Sequence, residues 1–227
     1  MRMMPMQLMA AMIVAAAASA SDVQLQVVSR DAHTSPPVAQ ATDPCQVSGL
    51  ADNTADVGPG HVGIASSTSG RVQGTDCDTS SNNSATQIAT INLIGPPGST
   101  ISICYVVRFA AMTSANGPQG NVDAIAQVGG VPPSSPGGVF LNNNPLATFQ
   151  ENFLPNAADS DTQRALFTGT VGDVIRLETG TNAFAGLTGA GSAKSDAEAS
   201  AAIYLGACPV ERAPAASPWG LLALATA

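Results

Sequence analysis

Charged and aromatic residues are scarce in this chain. Only 11% of its 227 residues are charged, 4% are aromatic, and Lys194 is its one lysine. With a formal net charge of -8, no basic stripe is left to neutralise a phosphate backbone, so nucleic acid is excluded as a partner. A hydrophobic content of 44% supplies enough apolar residues for a core, which argues against disorder in the middle of the chain.

The chain also has few groups suited to catalysis. His33 and His61 are its only histidines, and no G-x-S-x-G signature accompanies them. Glycan cleavage needs paired carboxylates, and no Trp precedes Trp219 to form a sugar platform. The available glutamates are Glu151, Glu178, Glu198 and Glu211. We therefore predict that the protein is not an enzyme, that it has no catalytic residues, and that both histidines are ordinary surface residues.

The N-terminus has the features of a secretory signal peptide. Arg2 supplies a positive charge, residues 6 to 18 form an apolar stretch interrupted only by Gln7, and Ala18-Ser19-Ala20 fits the small-x-small cleavage rule. The apolar run is shorter than the roughly 20 residues that a membrane-spanning helix needs. We predict cleavage after Ala20 and an exported protein, located at the cell envelope surface or outside the cell.

Export allows the four cysteines to be interpreted as disulfides. They are Cys45, Cys77, Cys104 and Cys208. No pair has C-x-x-C spacing and no histidine lies near them, which disfavours a zinc site, whereas an even number in an oxidising compartment favours two bridges. Three pairings are possible. We favour Cys45 with Cys77 and Cys104 with Cys208, each bridge contributing about 3 to 4 kcal/mol by loop closure.

The longest run of strand-forming residues is Thr100 to Ala110. One face of this segment is entirely apolar and consists of Ile101, Ile103, Tyr105, Val107 and Phe109. Cys104 and Val106 lie on the other face, which indicates that this side is partly covered too. The segment is therefore predicted to be a central strand. Because 22 Gly and 16 Pro break the rest into short segments, we predict an all-β fold, an antiparallel two-sheet β-sandwich of jelly-roll type.

Other segments are assigned from their alternation and their turn residues. Strand patterns cover residues 23–28, 61–67, 86–94, 122–128, 139–141, 147–153, 164–171 and 174–179. Residues 31–44, 45–60 and 129–138 are expected to be connectors or loops, and residues 71–84 are expected to be a long loop or a weak edge strand held by its disulfide. Turn signals at Gly95-Pro96-Pro97-Gly98 and at Gly172-Asp173 predict that the strands flanking each turn pair with one another. Residues 193–205 alternate in nearly strict fashion and favour a long strand over an alanine-rich helix.

Aspartate pairs on predicted loops make calcium the one cofactor to consider. The pairs are Asp76 with Asp78, Asp159 with Asp161, and Asp52 with Asp56. None matches the full D-x-[DN]-x-[DN]-G loop with its closing Glu. Short acidic side chains in turns also bond their own backbone, and this is the favoured explanation. Asp76, Asp78, Asp159 and Asp161 stay as calcium candidates, and no other metal or cofactor is predicted.

The C-terminus resembles the sorting tails of the PEP-CTERM and IPTL-CTERM families of exported bacterial proteins. Its Pro214, Ser217, Trp219 and Gly220 are followed by the apolar residues 221–224, although no basic cluster follows. The segment from Gly169 to Ile175 is also similar to one in PEP-CTERM-type proteins. The resemblance implies a Gram-negative source, recognition by sorting machinery at the inner membrane, and association with exopolysaccharide.

These observations give a domain plan and a functional expectation. We assign residues 1–20 to the signal peptide, 21–44 to an N-terminal strand and connector, 45–208 to the β-sandwich, and 209–227 to a remnant of the sorting tail. The expected function is structural or adhesive, at the envelope or in the extracellular polysaccharide matrix, with polysaccharide or a second copy of the chain as partner. The alternatives are a carbohydrate- or calcium-binding module and a secreted hydrolase.

Overall fold

A computed structural model describes residues 22–35, 44–118 and 121–209. Within these ranges the chain forms ten β-strands and no α-helix. The strands are β1 (Gln24–Thr34), β2 (Gln46–Gly58), β3 (His61–Ile94), β4 (Thr100–Asn116), β5 (Val122–Gly129), β6 (Gly137–Leu141), β7 (Asn144–Phe149), β8 (Glu151–Phe153), β9 (Ala158–Thr170) and β10 (Val174–Leu205). No described segment is a helix of the length and apolarity needed to span a bilayer.

The two long strands β3 and β10 pair with each other along almost their whole length and run through both layers of the fold. Layer 1 consists, in order, of β2, residues 61–73 of β3, residues 192–205 of β10, β4 and β9. Layer 2 consists of β1, residues 77–94 of β3, residues 174–189 of β10, and the strands β5 and β6 with their neighbours β8 and β7. All pairings are antiparallel, which confirms the predicted fold class.

A β-bulge in β3 marks the passage from one layer to the other. Gly74 pairs with Gly191 and Cys77 with Gly189, so β3 carries two residues, Thr75 and Asp76, where β10 carries one. Asp76 has a positive φ of 61°. An extra residue reverses which side chains face inward. The buried positions of β3 are accordingly even-numbered up to Val72 and odd-numbered from Cys77 onward.

The hydrophobic core lies between the two layers. It joins Val62 and Ile203 of layer 1 to Ile91 and Leu177 of layer 2, all of them fully buried. Strand β4 lies between β10 and β9, with Ile103, Val107 and Phe109 directed into this core, which confirms its predicted central place. Cys104 and Val106 on its second face are buried while Arg108 and Ala110 are exposed, so this face is partly covered, as expected.

Part of the interior between the layers is polar. Ser66 Oγ of layer 1 lies 2.9 Å from Thr179 Oγ1 of layer 2, and Asn83 Nδ2 donates to the carbonyl of Ser69 across 2.9 Å. Ser195 Oγ donates to the carbonyl of Ile125, also across the layers. These bonds hold the layers together where small residues leave little apolar surface.

Two disulfides close the fold. Cys45 is bonded to Cys77 beside the bulge, and Cys104 of β4 is bonded to Cys208 just beyond β10. The described residues contain no free cysteine. This is the pairing that the sequence favoured.

One predicted loop is a strand, a segment predicted to be a loop or a weak edge strand is the interior of a strand, and a third segment extends further than predicted. Residues 46–58 form β2 and residues 71–84 belong to β3, although both are rich in Gly, Ser, Asp and Asn. β10 and β2 supply backbone partners to β3 along this stretch, and a complete hydrogen-bond ladder outweighs low strand propensity. Strand β1 likewise continues through residues 31–34, which were assigned to a connector.

Both predicted hairpin pairings are wrong. Residues 86–94 pair with β1 and β10 rather than with β4, and β9 pairs with β4 rather than with the start of β10. The two turns instead cross between the layers and bond to each other, since Gly172 N donates to Leu93 O at 2.9 Å and Val171 N to Ser99 O at 2.9 Å. Short connections thus join facing layers rather than neighbouring strands.

Several other predictions of secondary structure are confirmed, whereas residues 147–153, predicted to be one strand, are divided between β7 and β8. Residues 193–205 are strand, not helix, and the Asn142-Asn143 turn has positive φ at both residues. Residues 130–136 lie outside the sheet and fold over the outer side of layer 2, where Val131 N donates to Glu178 Oε1 at 3.1 Å. The signal peptide and the sorting-tail residues 214–220 lie outside the described residues.

Candidate functional site

A groove lies at one flank of the sandwich. It lies where the edge strand β9 of layer 1 faces the β7–β8 edge of layer 2, and it encloses about 560 Å³. Its lining residues are Phe109, Thr148, Phe149, Gln150, Glu151, Asp159, Ser160, Asp161 and Gln163. We call this feature the flank groove. Its volume falls in the usual range for small-molecule sites, about 300 to 1,000 Å³.

Strand β9 supplies the acidic wall of the flank groove. Asp159, Asp161 and Gln163 alternate along the strand, so their side chains share the face that would otherwise be covered by layer 2. Asp159 Oδ1 accepts a bond from Ser160 N and Asp161 Oδ1 one from Thr162 N, both at 2.7 Å. Gln163 Nε2 donates to Asp161 Oδ2 at 3.2 Å, which orients the amide along the wall.

Aromatic rings form the floor of the flank groove. The Phe109 ring lies 6.1 Å from that of Phe149 and 6.4 Å from that of Phe153, in tilted arrangements that stabilise such pairs. Phe109 and Phe149 keep 9% and 6% of their surface exposed. The floor is therefore apolar, although only a small part of each ring is accessible from the groove.

The β7–β8 side supplies the opposite wall. Thr148, Gln150 and Glu151 line it, and Gln150 Nε2 donates to the carbonyl of Ser134 at 2.7 Å. The polar groups around the groove are thus carboxylates, amides and hydroxyls, and no Lys, Arg or His lines it. Such groups accept and donate hydrogen bonds to hydroxyl groups, while the phenylalanine floor offers an apolar surface. The arrangement suits a neutral polyhydroxylated ligand.

The calcium candidates are not gathered into a cage. Asp159 and Asp161 lie in the flank groove, whereas Asp76 and Asp78 lie at the bulge of β3 and Asp52 with Asp56 on β2. Among the described residues no group of three or more His, Cys, Asp or Glu is placed to hold a metal ion. Calcium takes six to eight oxygen ligands, so these pairs do not fit it. The oxygens of Asp52, Asp159 and Asp161 instead accept the backbone N–H of the following residue.

The histidines and the glutamates lie far apart in the fold. His33 is exposed beside Asp31, with 3.0 Å between Nε2 and Oδ1. His61 lies 3.1 Å from Asp56 and stacks on Tyr204, with 5.9 Å between ring centroids. Of the glutamates considered as paired carboxylates, only three are described: Glu151 lines the flank groove, Glu178 holds the 130–136 loop, and Glu198 lies on the outer side of layer 1.

Sequence reasoning missed most of this site. It singled out Asp159 and Asp161 as calcium candidates and Glu151 as a carboxylate, but not Thr148, Gln150 or Gln163. One signal was available in the sequence. Charged residues at alternate positions of a strand indicate that the strand lies at the edge of a sheet and that the other layer does not cover the side to which they point.

Comparisons with known proteins give little further information. No protein family matches the chain, and no curated protein does. The chain is similar to a solved structure described as the native structure of a family 35 carbohydrate binding module from Clostridium thermocellum, at 13% identity and a TM-score of 0.17, over 72% of this chain and 98% of that one. A TM-score this low carries no argument, so the fold and the function both rest on the geometry above.

Proposed function

We propose that the protein is an exported binding module of the cell surface or extracellular matrix, which holds a neutral polysaccharide in the flank groove. The observation that carries the proposal is the composition of the groove: carboxylate, amide and hydroxyl groups on two walls above a phenylalanine floor, with no cationic side chain. A sugar ring presents hydroxyl groups at its rim and C–H groups on its faces. The polar walls of the groove complement the hydroxyl groups, and the phenylalanine floor complements the C–H groups.

Two further features support the location of this activity. Both disulfides bridge positions far apart in sequence, and such bonds persist in oxidising compartments outside the cytoplasm. The signal peptide pattern and the resemblance of the C-terminus to sorting tails point to the same destination. An adhesive role in an exopolysaccharide layer, with sorting machinery at the inner membrane as a transient partner, is part of the proposal.

Affinity electrophoresis in gels containing soluble neutral polysaccharides tests the binding. We expect the wild-type protein to be retarded by at least one neutral glycan, and the variants Asp161→Ala and Gln163→Ala to lose at least about ten-fold in affinity, equivalent to removing a hydrogen bond with a charged or oriented group. Asp123→Ala is the matched control, because Asp123 is exposed on β5 outside the groove.

Two outcomes would contradict the proposal. Retardation that is equal for the wild type and both groove variants would place binding elsewhere on the surface. Release of reducing sugar during the assay, lost in Glu151→Gln, would replace binding by hydrolysis.

A further inference from the structure

We propose that the outer side of layer 1 is the interface of a symmetric dimer, covered by a second copy of this chain. We call this surface the outer face. It is formed by the side chains of β2, β3, β10, β4 and β9 that point away from the core, and their pairing places them in rows across the five strands. One row is Asp56, Gly63, Ala202, Val106 and Arg164.

Part of the outer face is flat. Small residues occupy six of its positions on β3 and β10, namely Gly63, Ala65, Ser67, Ser69, Ser200 and Ala202, whereas Arg71, Lys194, Asp196, Glu198 and Tyr204 project from the same two strands. A Cβ atom added at Gly63 would make ordinary contacts, 3.4 Å from the Cβ of Ala202 and 3.9 Å from the carbonyl oxygen of Asp56. Where the small residues lie, a second sheet can approach to the distance of about 10 Å at which β-sheets stack.

The charge of the outer face differs from that of the whole chain. The chain has 16 acidic and 8 basic residues, but four of the basic ones lie on this face: Arg71, Arg108, Arg164 and Lys194. They are matched there by Asp52, Asp56, Asp196 and Glu198. A surface of balanced charge on an acidic protein lowers the repulsion that otherwise keeps two copies apart.

Four of these eight charges are also separated across the face in a way that suits two-fold symmetry. The acidic Asp52 and Asp56 lie on the β2 edge, whereas Arg108 and Arg164 lie on β4 and β9. Strand β10 is the middle one of the five, so a two-fold axis along it lays the β2 edge of one copy over the β9 edge of the other. Asp56 then faces Arg164 of the second copy, twice in each dimer.

Apolar area and size agree with a dimer contact. Leu50, Met112 and Leu166 lie on the outer face and are 60%, 39% and 58% exposed. Five strands spaced about 4.8 Å apart, with the 13 residues of β2 and β9 rising about 3.3 Å each, give a face of about 1,000 Å². That is somewhat more than the roughly 800 Å² that each partner buries in an interface of standard size.

The dimer would leave both flank grooves open. Each groove lies at the β9 flank, and the two-fold axis along β10 places the two β9 flanks on opposite sides of the assembly. A dimer would therefore hold two polysaccharide strands at once, and would gain avidity for a matrix without any change at the groove.

Sedimentation equilibrium on the mature protein tests the dimer, with charge reversal as the probe. We expect the wild type to dimerise at tens of micromolar, Asp56→Arg and Arg164→Asp each to weaken dimerisation at least about ten-fold, and the double reversal to restore most of it. Asp123→Arg and Arg30→Asp are matched controls on layer 2, and we expect both to dimerise as the wild type does.

Glu198 supplies an independent measurement. It lies on β10 near the two-fold axis, where it would face its own counterpart, so Glu198→Gln is expected to tighten the dimer. A wild type that stays monomeric, or a double reversal as weak as the single ones, would overturn the proposal. So would a monomer whose glycan retention is lost in Asp56→Arg, because the outer face would then bind polysaccharide. If glycan retention depends only on Asp161 and Gln163, the proposed binding function of the flank groove stands whether or not the protein dimerises.

Discussion

The side-chain amide of Gln87 is buried between the two layers with neither end bonded. Only 1% of the residue is exposed, and both Nε2 and Oε1 lack a hydrogen-bond partner. By contrast, Ser195 Oγ in the same polar interior donates to the carbonyl of Ile125. The two residues therefore have opposite effects on stability, since a buried polar group opposes folding when it is unpaired and supports folding when it is paired.

We expect Gln87→Met to stabilise the protein and Ser195→Ala to destabilise it. Methionine fills a similar volume without a polar end, and the free energy of unfolding should rise by about 1 kcal/mol. Removing the Ser195 hydroxyl deletes its hydrogen bond to the carbonyl of Ile125 and should lower the free energy of unfolding by about 1 kcal/mol. Urea unfolding of both variants measures the difference, and a destabilised Gln87→Met would mean that buried water satisfies the amide.

At the scale of the element, β9 is an exposed edge strand whose carboxylates bond locally. Asp159 and Asp161 accept N–H groups of their own strand, and the described residues form no cluster able to hold a cation. A bound ion would stabilise the folded state in proportion to its affinity. We therefore expect the melting temperature to be the same in excess calcium and in excess EGTA. A rise of several degrees with calcium would show a site built differently from this one.

The bulge of β3 shows how far strand patterns could be predicted from the sequence. Val62 and Ile64 were correctly placed inward from their alternation, as were the apolar residues of β4. Residues 71–84 were assigned to a long loop or a weak edge strand because they are polar, and the change of phase at Thr75 and Asp76 hides the fact that residues 61–67 and 86–94 belong to one strand. The pairing of strands was predicted wrongly because a turn that joins facing layers has the same residue types as a turn that joins neighbouring strands of one sheet.

Deleting one bulge residue tests whether the phase change is what allows β3 to serve both layers. In a variant lacking Asp76, inward and outward positions of residues 77–94 would be exchanged, and Ile91 and Leu93 would face solvent. We expect this variant to lose cooperative thermal unfolding. Deletion of Pro97 is the control, because it shortens a turn without changing the phase of a strand. A cooperative transition in the Asp76 deletion would show that the register adapts.

In the molecule as a whole, the flank groove is a feature that the alternation of polar and apolar residues could not predict. Its walls come from residues 148–151 and 159–163, and its floor includes Phe109 from a strand nearly forty positions earlier. The aspartates were visible in the sequence, but the meeting of two sheet edges depends on the topology. The order of strands in each layer follows from β3 and β10 being long enough to pass through both, and the sequence pattern showed only the ends of those strands.

The two disulfides close loops of very different size and should differ in their contribution to stability. Cys45 and Cys77 are 32 positions apart, and Cys104 and Cys208 are 104 apart. By loop closure, the larger loop restricts the unfolded chain more, so its bridge should contribute about 5 kcal/mol and the smaller one about 4 kcal/mol. The double variant Cys104→Ala/Cys208→Ala should therefore unfold at a lower urea concentration than Cys45→Ala/Cys77→Ala.

The Cys104–Cys208 bridge also joins the residues just beyond β10 to β4, so its loss should fray the end of β10 and expose Tyr204 further, which fluorescence detects. Equal stability of the two variants would show that the unfolded chain is already compact around Cys104.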